Sequence, residues 1–250
     1  MKAQGDKNET IRQLREKIME LEGFTPSLAN ASAMSLGLGP IESAFPSGQF
    51  PLGTVHEFIS PNPSDAAATN GFISGILASL MCKGGFCLWI SNRRNLFPPG
   101  LKRFGVEPDR VIFIDLKREK DVLWAMEQGL KCSTLSAVVG ELQEITFTES
   151  QRLQLAVEQS KVTGLLHRHT PRSQHALACT TRWKIFSLSS GLPDGMPGVG
   201  FPTWKAELLK VRNGRPGEWK LEWKNGRFHQ LPLRKEPVTE TVFPRKQQYA

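Results

Sequence analysis

From Val55 to Arg168 the chain alternates between short apolar runs and longer amphipathic stretches. The runs VHEFI (55–59), FCLWIS (86–91), VIFID (111–115), SAVVG (136–140) and TGLLHR (163–168) have strand length and are rich in β-branched and aromatic residues. Between them, apolar positions at helical spacing predict helices over about 66–82, 96–104, 118–131 and 148–161. Nearly continuous apolar strands separated by helices predict β-α-β units. The fold class is therefore α/β, a mostly parallel sheet covered by helices on both faces.

The period changes after residue 175. HALACTTRWKIFSL (175–188) reads as one long strand. TWKAELLKV (203–211) and EWKLEWKN (218–225) flank the turn NGRPG, and Trp219, Leu221 and Trp223 alternate with Lys220 and Glu222. That alternation predicts a half-buried antiparallel hairpin, so the parallel core ends in an antiparallel edge. Residues 189–202 form a Gly/Pro loop, and the tail from Pro232 has no periodicity and reads as disordered. At the other end, residues 7–22 place Ile11, Leu14, Ile18 and Leu21 on one face of a helix and charges on the other. This face is a candidate partner-binding surface, with docking on the chain's own core as the simpler reading. The organisation expected is an N-terminal helix and linker (1–35), an α/β domain with a C-terminal hairpin (36–231) and a basic tail (232–250).

Charge adds an asymmetry to this picture. Residues 1–150 carry 15 Lys+Arg against 17 Asp+Glu, whereas residues 151–250 carry 17 against 7. The whole excess of +8 lies in the last two-fifths, as expected of a part that meets a polyanion or an acidic protein. No apolar run has membrane-spanning length, and MKAQGDKNET is too polar for a signal peptide. Cys82, Cys87, Cys132 and Cys179 lack CxxC spacing and read as reduced, mostly buried thiols, so a cytoplasmic setting is expected.

The stretch FISPNPSDAAATNGF (58–72) joins the first core strand to the first core helix, the context in which chains bind nucleotide phosphates. It has no Gly-Lys-Ser/Thr and no glycine before Gly71. Gly37-Leu38-Gly39 is too short for a dinucleotide fingerprint. His167 and His169 share one strand face, with His175 and Cys179 further on. Without CxxC or HExxH, and with Arg168 between the histidines, no metal site is expected. No GxSxG elbow supports serine catalysis.

The segment FPSGQFPLGTVHEF ahead of the first core strand resembles the lead-in of RecA-like recombinases. A closer resemblance is to the ImuA-type proteins of bacterial damage-induced mutagenesis. It is carried by LGLGPIESAFPSGQFPLGTVHEF (36–58), LWI (88–90), PPGLKRFGVEPDRVIFI (98–114), VLWAMEQGL (122–130), ESQRLQLAVEQS (149–160) and TWKAELLKVRNGRPGEWKLEW (203–223). These stretches run through most of residues 36–223.

The resemblance implies a RecA-like fold with a degenerate phosphate loop. The slot falls on Ser60 to Thr69, where Pro61 and Pro63 lack N–H donors, Asp65 brings a negative charge, and Ala66 and Ala67 stand in the region of the missing Lys and hydroxyl. Thr69 retains a hydroxyl. Asn92-Arg93-Arg94 follow the second strand where recombinases carry a catalytic Glu, and Gly140, with Glu141 beside it, takes the place of the strand-ending Asp. No ATP hydrolysis and no cofactor are expected. The recombinase DNA loop is cut to HTPRSQ (169–174), and Arg168, Arg172, Arg182 and Lys184 are the candidate phosphate contacts to DNA. Arg93, Arg94, Lys102 and Arg103 form a second basic area.

The function so implied is a non-enzymatic adaptor in SOS-induced, error-prone translesion synthesis, cytoplasmic and at the nucleoid. Its partners would be a Y-family polymerase-like protein and an error-prone C-family polymerase, with RecA and single-stranded DNA as further candidates. The alternative is a damage-induced division inhibitor of the SulA type that binds the tubulin-like division protein.

Overall fold

The structure is a computed structural model that describes residues 37–46, 48–93, 96–190 and 200–232. The amphipathic stretch 7–22, the rest of segment 1–35 and residues 233–250 lie outside the described residues.

Nine strands form one sheet: β1 Val55–Ser60, β2 Phe86–Ser91, β3 Val111–Asp115, β4 Leu135–Leu142, β5 Thr163–His169, β6 Thr181–Leu188, β7 Thr203–Val211, β8 Gly217–Lys224 and β9 Arg227–Leu231. Their order is β3-β2-β4-β5-β1-β6-β7-β8-β9. Pairing is parallel from β3 through β6 and antiparallel from β6 to β9. The α/β sheet with an antiparallel edge is thus as the hydrophobic period predicts.

Strand β2 shows why both faces are covered. Cys87 and Trp89 point into one apolar cluster and Leu88 and Ile90 into another. The first cluster lies under helix α1 (Ala66–Leu80), which buries Phe72, Ile73, Ile76 and Leu77 against Phe58 and the aromatic rings of the antiparallel strands, Trp183, Trp204, Trp223 and Phe228. The second lies under α2 (Glu119–Leu130) and α3 (Phe147–Ser160), through Val122, Met126, Leu130, Leu153 and Val157. Helix α3 starts at a capping box in which Thr146 and Glu149 exchange side-chain and backbone bonds.

Three expectations change. The helix expected over 96–104 is a 3-10 segment, Pro98–Phe104, ended by Gly105 in the left-handed region at φ 84°. The long strand expected over 175–188 begins only at Thr181, because the preceding residues are drawn into a loop tied to β5, to β6 and to Ile145 ahead of α3. The short strand β9 extends the hairpin and buries Phe228. Of the cysteines, Cys87 and Cys179 are buried and Cys82 and Cys132 exposed, all as free thiols. Burial pushes the Cys87 and Cys179 thiols up to about 12, so they are inert packing groups.

Candidate functional site

All parallel strands end on one side of the sheet. There β1 delivers Ser60 beside His169 of β5, and the chain turns through residues 61–65 into α1. This is the crevice at strand carboxyl ends where open α/β sheets place ligands. It holds a cavity of about 220 Å³ lined by Ser60, Asn62, Ala66, Arg93, Gln143 and His169, among others.

The turn has the position of a phosphate loop but directs its polar groups inward. Pro61 and Pro63 have no N–H. The Asp65 amide donates to the Asn62 carbonyl and the Ala66 amide to the Pro63 carbonyl. At most the amides of Asn62 and Ser64 remain to point into the turn, too few for a cradle of successive donors. The Thr69 hydroxyl is fully buried, donates to the Asp65 carbonyl and accepts from Ser60.

Asp65 differs from expectation. Its carboxylate is not aimed at the hollow of the turn. It accepts from the amide and hydroxyl of Ser187 on β6 and from Asn62. Burial alone would raise its pKa, but these bonds outweigh burial and hold it below the ordinary value. The aspartate fastens the turn to the sheet. Ala66 lines the cavity, Ala67 is exposed, and neither supplies a polar group.

Behind this turn lies a polar cluster. His167 bonds to Ser60 through Nε2 (2.5 Å) and to Asn70 through Nδ1 (2.7 Å). Burial, then the neighbouring His169, hold its pKa well below the usual histidine value. Glu141, at the end of β4, accepts from the Trp89 indole at 2.6 Å and pairs its other oxygen with His169 Nε2 at 3.0 Å. Glu141 is 1% exposed, so it is buried beside the crevice, and of this cluster Ser60 and His169 line the cavity.

The four basic residues expected to touch DNA divide in two. Arg168 is entirely buried: it donates to Glu57 (2.9 Å), Glu144 (3.1 Å) and the carbonyls of Gln143 and Ser173. Arg182 donates to the other oxygen of Glu57 (2.6 Å) and to the carbonyls of Gln174 and His175. The reading of Arg168 as a phosphate contact is corrected, because it is fully buried and bonded to four acceptors within the protein; Arg182 is part-exposed and spends three of its donors on Glu57 and the two loop carbonyls. Together with Glu57 on the intervening strand they clamp the short loop after β5. Arg172 is exposed and Lys184 half-exposed on the face of β6 opposite Trp183. In the second basic area Arg93 is exposed at the cavity, Lys102 pairs with Glu107, and Arg94 lies outside the described residues. Ile11, Leu14, Ile18 and Leu21 also lie outside them.

Sequence reading missed two features. One is Glu57, whose signal is a carboxylate in the middle of a short central strand, VHEFIS, that is buried throughout. The other is the approach of Glu141 to the HxH pair, which needs the β4–β5 register Glu141↔His167 to be seen.

No protein-family model matches the chain. Among solved structures, the RadB recombinase superposes with a TM-score of 0.54 at 14% identity, covering 80% of this chain and 100% of that one. The fold is therefore RecA-like. Protein ImuA from two strains of Caulobacter vibrioides (NA1000 / CB15N and ATCC 19089 / CIP 103742 / CB 15) is 34% identical over 201 residues, spanning 76% of this chain and 82% of the relative in each case. With that identity spread over most of both chains and on a RecA-like frame, this chain belongs to the ImuA family.

Proposed function

We propose that the protein is an accessory factor in damage-induced, error-prone translesion DNA synthesis, and that it uses its RecA-like frame to bind partners and not to hydrolyse ATP. The observation that carries the second half is the turn after β1. Two of its amides, its aspartate and its threonine hydroxyl are spent on internal bonds, two of its residues are prolines, and it has no lysine. Phosphoryl transfer needs a phosphate cradle, a cation to reach the β/γ-phosphates and a hydroxyl for Mg²⁺. Membership of the ImuA family supports the first half. The partners proposed are a Y-family polymerase-like protein and an error-prone C-family polymerase, with RecA as a third.

The face of the sheet covered by α2 and α3 fits a docking role. Trp124 on α2 is 63% exposed and Leu155 on α3 61%, large apolar groups of the kind that mark an interaction surface when they occur together. They flank Arg152, which lines grooves on both sides of it. Polymerase-type partners are proposed to seat here. A DNA contact, if made, falls to Arg172 and Lys184, which retain access to solvent.

The test is affinity capture of the tagged full chain from DNA-damaged cells of its own host. Recovery of the polymerase components, lost in a Trp124→Ala/Leu155→Ala variant, is the expected result. Recovery of the tubulin-like division protein in their place would overturn the adaptor reading in favour of a division inhibitor.

A further inference from the structure

Three metal-ligating side chains with no part in the proposed docking lie beside the crevice, His169 at its wall and Glu141 and His167 buried behind it. Glu141, His167 and His169 each present one ligand atom, and these atoms all lie within 4.8 Å of one another. The Glu141 oxygen and His169 Nε2 are already 3.0 Å apart, and the two imidazole centroids 3.9 Å. A tetrahedral zinc ion with bonds of about 2.0–2.2 Å needs its ligand atoms about 3.3 Å apart. Binding of the ion would draw the side chains together over that difference. The cluster draws on adjacent parallel strands in register, so the sheet itself fixes the spacing.

From these residues we infer a site for a zinc-class divalent cation, held by Glu141, His167 and His169 at the carboxyl ends of β4 and β5. The outer contacts are those a metal site requires. Asn70 Oδ1 accepts from His167 Nδ1, which leaves Nε2 with its lone pair, the nitrogen directed to the cavity wall at Ser60. Trp89 fixes the Glu141 carboxylate through the oxygen not offered to the ion. Ser60 is the group that yields. Its one proton already goes to Thr69, whose own proton goes to the Asp65 carbonyl. Because its proton is held by Thr69, Ser60 gives up no bond that it donates when a cation takes its place on Nε2.

Two imidazoles and one carboxylate suit Zn²⁺ and its transition-metal neighbours, and not Mg²⁺ or Ca²⁺, which take oxygen. His169 is only partly buried and lines the cavity, giving the ion an entry path and an open fourth position near Gln143 and Thr170. The ion would tie two strand ends together where a nucleotide-bound metal sits in a phosphate-loop protein.

The test uses metal-free, untagged full chain carrying Cys82→Ser and Cys132→Ser, so that exposed thiols do not compete. Zn²⁺ is titrated against a chromophoric chelator. One equivalent of saturable uptake is expected, weakened at least about tenfold in Glu141→Gln and in His169→Ala. Both variants are expected to keep the wild-type circular dichroism, since the amide oxygen introduced by Glu141→Gln still accepts from the Trp89 indole and His169 lies near the surface. Co²⁺ in place of zinc should give a nitrogen/oxygen spectrum without thiolate charge transfer. Absence of stoichiometric uptake, affinity unchanged in both variants, or displacement by millimolar Mg²⁺ would overturn the site.

Discussion

Glu57 organises the centre of the molecule at the level of single residues. It is fully buried on β1 and receives Arg168 from β5 and Arg182 from β6, one on each oxygen. Removing one partner of a buried pair leaves a desolvated charge, so Arg168→Leu should cost about 3 kcal/mol in a urea unfolding experiment. Arg172→Ala, on the exposed loop, should stay within about 0.5 kcal/mol. An equal, small effect of both substitutions would contradict the clamp. This is also where sequence reading was weakest. Arg168 is legible as a cation beside a shortened loop, but Glu57, the buried carboxylate it meets, is 111 residues away, and only strand order brings them together.

His56, the neighbour of Glu57, gives a prediction about pH. It is buried between the Thr181 hydroxyl and the Pro51 carbonyl, both uncharged, and desolvation lowers its pKa from 6.5 to about 3. The folded value lies below the unfolded one, so the neutral form is the one the fold accommodates. Its contribution is fully present above about pH 6.5 and is lost as pH falls towards 3, at about 1.4 kcal/mol per pH unit. Urea midpoints measured from pH 7.5 down to 4.5 should therefore fall, and fall less steeply in His56→Asn. A slope identical in the two proteins would contradict the assignment.

Among the elements, helix α1 shows how tightly the antiparallel edge is bound to the core. A Cβ added at Gly75 would stand 2.6 Å from the Phe228 ring and 2.9 Å from Trp223. Alanine favours a helix over glycine by about 1 kcal/mol, but overpacking against two fixed rings costs about 1–3 kcal/mol. Gly75→Ala is expected to lower the melting temperature by several degrees. An unchanged or higher value would mean that β8 and β9 are not seated as described. Strands β1 to β5, β7 and β8 and helices α1 to α3 were legible because period and length agree in each. The start of β6 was not, because HALACT has strand composition yet its first carbonyl, at His175, accepts from Arg182. Strand β9 was not, because RFHQL offers one buried residue among polar ones.

At the scale of the whole molecule, the order β3-β2-β4-β5-β1-β6 and its antiparallel extension put a RecA-like sheet to a use that its first loop narrows. The site's position was legible from the strand, the turn and the helix around residues 58–72. Its chemistry was legible as missing residues, namely the lysine and the glycines. What no linear reading supplied is where the remaining polar groups turn: Asp65 to β6, Thr69 to the helix start, Glu141 to the histidines. Those directions depend on neighbours across the sheet.

On the proposed function, this frame binds partners without engaging nucleotide. Calorimetric titration of the purified full chain with Mg·ATP tests it most directly. No saturable binding below about 1 mM is predicted, since a turn with at most two inward amides and no lysine offers too little to a triphosphate. A stoichiometric isotherm with micromolar Kd would contradict it.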